Sequence, residues 1–336
     1  MKKVAKRIRC AMVGYGGAFN MGRGHANWIN AVPGMETVAV CDPDKERLKA
    51  AQQELPGVRT YTTLPSLLRD PDVDLCVLIT PHNLHARQAV QCLNAGRHVV
   101  TEKPMCITVA EADAMIAAAK KNKKTLTVFH NRRHDGDFMA IRDVIRKGVI
   151  GDVFQVETGG GGYGHPGKWW RADKRISGGA FYDWGAHIVD WVLHLVPAKI
   201  ESVTGVFQKR VWLDVTNEDH IVALIRFANG ASAEIQMSHL AAAPRPRWRI
   251  LGTKGAIVDE GGGSFKVHGA MDGIRATGDV AYYKSDWESY YKNLADHLLR
   301  GAPLEVTPES ARRVIGVMEM AEKSWKSGKA EKVPHE

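Results

Sequence analysis

The stretch IRCAMVGYGGAFNMGRGHA, residues 8–26, begins as a continuous apolar run and breaks into glycine. Such a run bounded by turn residues predicts a buried strand, and the segment from Gly22 onward predicts a helix. Gly14, Gly16 and Gly17 at the junction supply the tight turn and close backbone approach that a pyrophosphate at a helix N-terminus requires. The spacing departs from G-x-G-x-x-G, because Phe19 stands where the third glycine belongs. A three-residue insertion, Ala18-Phe19-Asn20, would hand that part to Gly22. A stretched glycine motif is a weak signal, and a purely structural turn is the alternative reading. Its place between a first strand and a first helix gives it weight.

Outward from this junction the same alternation runs to about residue 131. Apolar runs at ETVAVCD (36–42), VDLCVLIT (73–80), HVVTEK (98–103) and TLTVFH (125–130) are separated by helix-like PDKERLKAAQQEL, LHARQAVQCLNAG and TVAEADAMIAAAKKNKK. Continuous apolar strands with helical crossovers imply a parallel sheet covered on both faces. Beyond residue 131 the pattern changes. A helix and the strand DVFQVET lead to a Gly- and Trp-rich loop and the helical GAFYDWGAHIVDWVLHLV (179–196). Long alternating strands follow, with Asn229-Gly230 between two of them, a strong hairpin signal. They describe an antiparallel or mixed sheet with one face covered, and the closing segments DWESYYKNLADHLLRG and TPESARRVIGVMEMAEKSWKSG read as helices. The helices near that sheet look too few to cover its second face. An uncovered apolar face of several hundred Å² marks an interface, so a homodimer or homotetramer through that sheet is expected.

The 336 residues carry 46 Lys and Arg against 37 Asp and Glu, a formal charge of +9. The basic residues are scattered, with no stripe interleaved with exposed aromatics, so nucleic acid is not the expected partner. No apolar run approaches the ~18 residues of a membrane span. The five cysteines have no CxxC spacing and lie mostly in apolar segments. Reduced thiols in a cytoplasmic protein are the simplest account.

Other strand ends carry chemistry. Asp42, ending AVCDPD, would bond the adenosine ribose and repel a 2′-phosphate, and no Arg or Ser immediately follows, so NAD is preferred to NADP; it would serve equally as a helix N-cap. Thr80, Pro81 and Asn83 reach the carboxyl edge where such sheets place their ligand crevice, with Asn83 expected to cap the next helix. Glu102, Lys103 and Pro104 arrive at the same edge. In the second half, Asp183 and His187 stand four apart on a predicted helix, on one face. A histidine with a carboxylate one turn away suits a general base and its orienter, although alone such a pair is more often a satisfied, partly buried contact. His187, Asp190 and His194 spread too widely around a helix to favour a metal.

Taken in order, the stretched glycine motif, TP-H-N-x-H, EKP, D-x-G-x-H and the closing helix resemble the Gfo/Idh/MocA family of oxidoreductases over roughly residues 7–330. The resemblance implies an α/β chain: an N-terminal Rossmann domain at 1–131, and at 132–336 an α+β domain with a large, open-faced, mostly antiparallel sheet, whose C-terminal helices pack back on the first domain. It places catalysis on Lys103, Asp183 and His187, and substrate contacts on these together with Trp170 and Arg171. Cofactor contacts fall on Gly14, Gly16, Gly17, Ala18, Phe19, Asp42, Thr80, Pro81, Asn83, His85, Glu102, Lys103 and Arg171. The family's Lys-Pro bond is commonly cis. The implied reaction is NAD-dependent hydride transfer from a secondary hydroxyl of a sugar, anhydrosugar or cyclic polyol. A redox-neutral NAD-dependent glycosidase or epimerase, or a non-enzymatic NAD- and sugar-binding regulator, are the rival readings.

Overall fold

The computed structural model describes residues 7–16, 19–243, 245–271 and 273–336. Gly17 and Ala18, both expected at the phosphates, lie outside the described residues. The chain divides into two compact units. The first is Met1–Cys106, Ala110–Asn131 and Trp287–Arg312; the second is Ile107–Val109, Arg132–Asp286 and Arg313–Glu336.

In the first unit, strands β1 (Ile8–Val13), β2 (Met35–Cys41), β3 (Arg59–Tyr61), β4 (Leu75–Leu78), β5 (His98–Thr101) and β6 (Leu126–Val128) form one sheet in the order β3-β2-β1-β4-β5-β6. Every pairing is parallel. Helices α1 (Met21–Ala31), α2 (Lys45–Glu54), α3 (Leu64–Leu68), α4 (His82–Asn94) and α5 (Val109–Asn122) make the crossovers. The strand order reverses between β1 and β4, which places a ligand crevice beyond the carboxyl ends there. All residues of β4 and β6 are buried, as a sheet covered on both faces requires. The sequence reading missed β3 and α3, because three residues at a sheet edge leave no apolar run.

Gly14 makes the first turn possible. Its φ is +97°, and a Cβ there would stand 2.4 Å from the Ile79 carbonyl oxygen. Gly22 supplies the close packing expected of a third glycine, since a Cβ on it would lie 3.0 Å from Tyr15 Cα and 3.2 Å from the Gly14 carbonyl. Helix α9 (Glu288–Arg300) also belongs to this unit. It buries Tyr290 and Tyr291, and Tyr290 meets Phe129 edge-on at 4.8 Å.

The second unit holds α6 (Gly136–Arg146), α7 (Lys174–Ser177), α8 (Gly185–Leu195) and an eight-stranded sheet. Its strands are β7 (Val153–Gly161), β8 (Ile200–Gln208), β9 (His220–Phe227), β10 (Ser232–Ser238), β11 (Trp248–Gly252), β12 (Gly255–Asp259), β13 (Ser264–Met271) and β14 (Ile274–Ala281). The order is β14-β13-β12-β11-β7-β10-β9-β8. Only the β7–β10 pairing is parallel among these strands. The β9–β10 hairpin turns at Asn229-Gly230 as expected, whereas the β13–β14 hairpin was not read from the sequence. Helix α10 (Pro308–Ser327) runs from the first unit into the second.

The sheet's second face carries charge that alternation alone does not reveal. Its centre is charged on the face away from α8: Arg245 bonds Glu234 at 2.7 Å and Glu157 at 3.3 Å, and Arg249 pairs with the same Glu157. Cross-strand charge pairs keep such a face stable in water. Val206, Val222 and the exposed Leu224 share that face on the outer strands, so it is mixed rather than wholly apolar.

All five cysteines are free and buried. Burial pushes the Cys41 thiol up to about 12, with Asp42 adding to the effect.

Gly14→Ala is expected to cost more than ~1 kcal/mol, the ordinary penalty of a wrong residue at positive φ, because the added methyl also meets a carbonyl. The variant should show a lower denaturation midpoint, and its NAD binding isotherm should be nearly flat.

Candidate active site

The carboxyl ends of β1, β2, β4 and β5 bring Gly14, Asp42, Thr80, Pro81, Glu102 and Lys103 to one edge of the parallel sheet. Asp42 is buried, and its carboxylate is built into the glycine turn. Oδ2 accepts the Tyr15 N–H at 2.7 Å and Oδ1 the Asp44 N–H at 2.9 Å. Asp44, not Asp42, caps α2, accepting from the Glu46 N–H at 2.9 Å. Arg47 reaches back over Gly16, and with Tyr15, Asn20, Arg23 and Glu54 it borders a cavity of about 280 Å³.

The N-terminus of α1 fits a phosphate. Its cap residue, Asn20, makes no side-chain capping bond, and the first turn holds no acidic residue. Free N–H groups at a helix start attract anions. Together with the room left by Gly14, this donor set suits a dinucleotide.

Asn83 does not cap α4: the helix begins at His82, with Pro81 in the cap position and no side-chain capping bond. His85, expected at the cofactor, is fully buried. Nδ1 lies 2.8 Å from the Pro104 carbonyl and Nε2 2.8 Å from that of Thr80. The ring thus ties the β4 and β5 turns together and acts on the crevice through their backbone. The Lys103–Pro104 bond is cis.

In the second unit an open cavity of about 770 Å³ lies at the carboxyl ends of β7 and β10. Tyr163, Arg171, Asp183, Trp184 and His239 are among its walls. Asp183 is not on a helix, contrary to the sequence reading. It follows the 3₁₀ turn Ala180–Tyr182, and α8 starts at Gly185. Freed from helical geometry, its carboxylate accepts from Arg171 Nη1 at 2.6 Å. The Arg171 guanidinium also lies 4.7 Å over the Trp170 ring. His187 is buried on α8, stacked on Trp191 and edge-on to Trp184, and both tryptophans line the cavity. Asp190, one turn on, forms a doubly bonded ion pair with Arg133, at 2.8 and 2.6 Å, with both side chains buried.

His239 escaped the sequence reading. Burial holds its imidazole below the usual histidine range, against the opposing pull of Asp219 and Asp183. Only its place just after the apolar strand EIQMS could have marked it. Asp219 beside it is a fixed anion. Burial raises its carboxyl, but Lys209 and the N–H groups of Val211, Arg210 and Trp212 outweigh that and hold it at about 2.

Residues 8–130 match the model of an oxidoreductase family with an NAD-binding Rossmann fold, and residues 138–258 match the GFO/IDH/MocA C-terminal domain. The chain is 30% identical over 265 residues to the uncharacterized oxidoreductase YdgJ of Escherichia coli, covering 77% of this chain and 72% of that one. It belongs to the Gfo/Idh/MocA oxidoreductase family. It is also similar to scyllo-inositol 2-dehydrogenase (NADP(+)) IolW of Bacillus subtilis, at 25% identity over 86% of this chain and 87% of that protein. Among solved structures, an NAD-binding protein from Listeria innocua superposes with a TM-score of 0.89 at 28% identity, over 98% of each chain. As a member of this family the chain is an NAD-binding oxidoreductase, and its parallel and mostly antiparallel sheets are the expected pair. No described helix is long and apolar enough to cross a membrane.

Asp190→Ala is expected to destabilise the second unit by about 3–5 kcal/mol, because Arg133 would keep a buried charge without its carboxylate. Denaturant midpoints of the variant and the parent measure this.

Proposed function

We propose that this Gfo/Idh/MocA protein oxidises a secondary hydroxyl of a sugar, anhydrosugar or cyclic polyol, with NAD preferred to NADP. The observation that carries the reading is the cavity wall that joins Asp183 and Arg171 with Trp184 and Trp191, the two tryptophans that pack on the buried imidazole of His187. Polar groups set among tryptophans suit a polyhydroxylated ring, whose hydroxyls need hydrogen bonds and whose C–H faces pack on aromatics. The inositol dehydrogenase named among its relatives supports the same substrate class.

Gly14, Gly16, Phe19, Asp42, Thr80, Pro81 and Glu102 would hold the dinucleotide. Bound NAD supplies the hydride acceptor. His187 takes the hydroxyl proton at a ring nitrogen as the C–H bond breaks. Lys103, a compact cation, stabilises the oxygen while it carries alkoxide charge. Asp183, held by Arg171, orients a neighbouring hydroxyl. Oxidation should therefore speed up with rising pH until the imidazole has shed its proton.

Lys103→Ala and His187→Ala should each lower turnover by ~10² or more, the usual scale for one positioned acid–base or electrostatic group. The His187 variant should keep its NAD affinity. The measurement is NADH absorbance with product analysis over a panel of cyclic polyols, aldoses, anhydrosugars and glycosides. A His187→Ala enzyme with parental turnover on the true substrate overturns this mechanism.

Cofactor choice has its own test. Asp42 opposes a 2′-phosphate, while Arg47 and Arg23 nearby would favour one, and we give the carboxylate precedence because it is the buried, fixed group. Replacing Asp42 by Ala should narrow the NAD-over-NADP preference by roughly 1–2 kcal/mol, the order of a charged hydrogen bond. Tighter NADP than NAD binding by the parent protein contradicts the assignment.

A further inference from the structure

Glu102 has a second task beyond any contact with the cofactor. Its Oε2 accepts the backbone N–H of Lys103 at 2.9 Å, and its Oε1 lies 3.0 Å from His25 Nε2. The other ring nitrogen, His25 Nδ1, lies 2.6 Å from the Tyr291 hydroxyl. One chain of hydrogen bonds therefore joins α9, α1 and the turn at the end of β5. His25 has no exposed surface. The rings of Phe129, Trp28 and Tyr291 surround it, with centroids 4.3, 5.6 and 5.9 Å away. The whole arrangement lies within the first unit, and no step written above for the reaction uses it.

A buried carboxylate remains ionised only where charge or hydrogen bonds compensate for lost water. Burial pushes the Glu102 carboxyl up, but the hydrogen bond and charge of His25, with Lys103 adding, hold it below the usual carboxylate range. Burial keeps the Tyr291 phenol protonated far above its ordinary value, with Tyr290, Cys10 and Glu102 adding. Among the described groups facing this chain, His25, Lys103, Tyr290, Tyr291 and Cys10 are thus the ones that set its charge, and the anion is Glu102. An ionised carboxylate holds an N–H more strongly than a neutral carboxyl does.

We propose that His25 is a positioning residue for Lys103, acting through Glu102 on the backbone that carries the lysine. The inference rests on the catalytic role given above to Lys103. Without the imidazole donor, only Lys103 opposes the desolvation of Glu102, and the carboxyl takes up a proton nearer to neutral pH. The Lys103 N–H then loses its charged partner and the turn loosens. Misplacement by about 1 Å of a group that must meet a transferring atom costs up to ~10²-fold in rate.

The test uses the full-length protein. His25→Phe keeps an aromatic ring among its neighbours and removes the donor. Its turnover should fall at least tenfold at pH 7, while the substrate KM and NAD affinity stay within about threefold, a split typical of a lost transition-state contact. The acid limb of its kcat–pH profile should move upward. Glu102→Gln should show a similar loss while keeping the parent's acid limb, which His187 sets, and the double variant should be no worse than the poorer single, as members of one unit behave. His25→Gln, which restores an N–H donor, should recover part of the rate and also serves if the phenylalanine variant does not fold. Tyr291→Phe should move the limb in the same direction, but less. A readout independent of turnover is the ¹³C NMR titration of the Glu102 carboxyl, assigned with Glu102→Gln as the blank and expected to shift upward in His25→Phe. An unmoved carboxyl titration, or rate losses that simply add, overturns the inference. A shifted titration in a protein whose Lys103→Ala variant is fully active would support the His25–Glu102 link while removing the catalytic role of the lysine.

Discussion

The first unit depends on how closely two strand ends approach at Gly14. The space where any other residue carries a side chain is taken by the Ile79 carbonyl, 2.4 Å from a Cβ built there. That approach brings the β1 turn against the β4 turn at the point where the strand order reverses, just before α1, whose cap residue makes no side-chain capping bond. Asp42 closes the arrangement from the other side by accepting the Tyr15 N–H. One carboxylate thus fixes the turn after β1 and the start of the segment after β2 together. Charge and backbone geometry are hard to separate at such a position, and few residue types satisfy both.

Buried histidines perform a related task at the next two strand ends. His85 spans the Thr80 and Pro104 carbonyls, and His25 stands behind Glu102. Each imidazole offers two polar atoms in one rigid plane, which lets a single side chain link segments distant in sequence. Lys103 consequently rises from a backbone braced by buried groups on α1 and α4. The second unit solves its problem differently, with an ion pair between Arg133 and Asp190 under α8 and a fixed anion at Asp219 near the cavity.

Much of the architecture was legible in the chain because its signals are local. Apolar strands, glycine turns and Asn229-Gly230 announce themselves within a few residues. The misreadings came where partners are remote. Asp183 looked helical because D-x-G-x-H has a helical spacing, yet its partner Arg171 lies on another loop and holds it outside α8. Asn83 looked like a cap, but α4 already begins at His82, with Pro81 in the cap position. The charge on the sheet's second face went unread because alternation reports one buried side and says nothing of how Arg245 threads between two glutamates. His239 carried no motif at all, and its environment exists only once β10 lies beside β7. Lys103 stood out for the opposite reason, since a lysine and a carboxylate seldom close a buried strand without a reason.

The five buried thiols have a consequence for handling and for measurement. Thiolates, not thiols, react with alkylating and oxidising agents, and Cys41 is pushed to about 12 by its surroundings. Cys10, Cys41 and Cys76 lie within strands β1, β2 and β4, and Cys92 on α4 is buried with them. In the closed fold these sulfurs are chemically silent. Labelling them requires the parallel sheet to part, so the pace of labelling by a thiol reagent is a clock for opening of the nucleotide-binding unit, readable without substrate or cofactor.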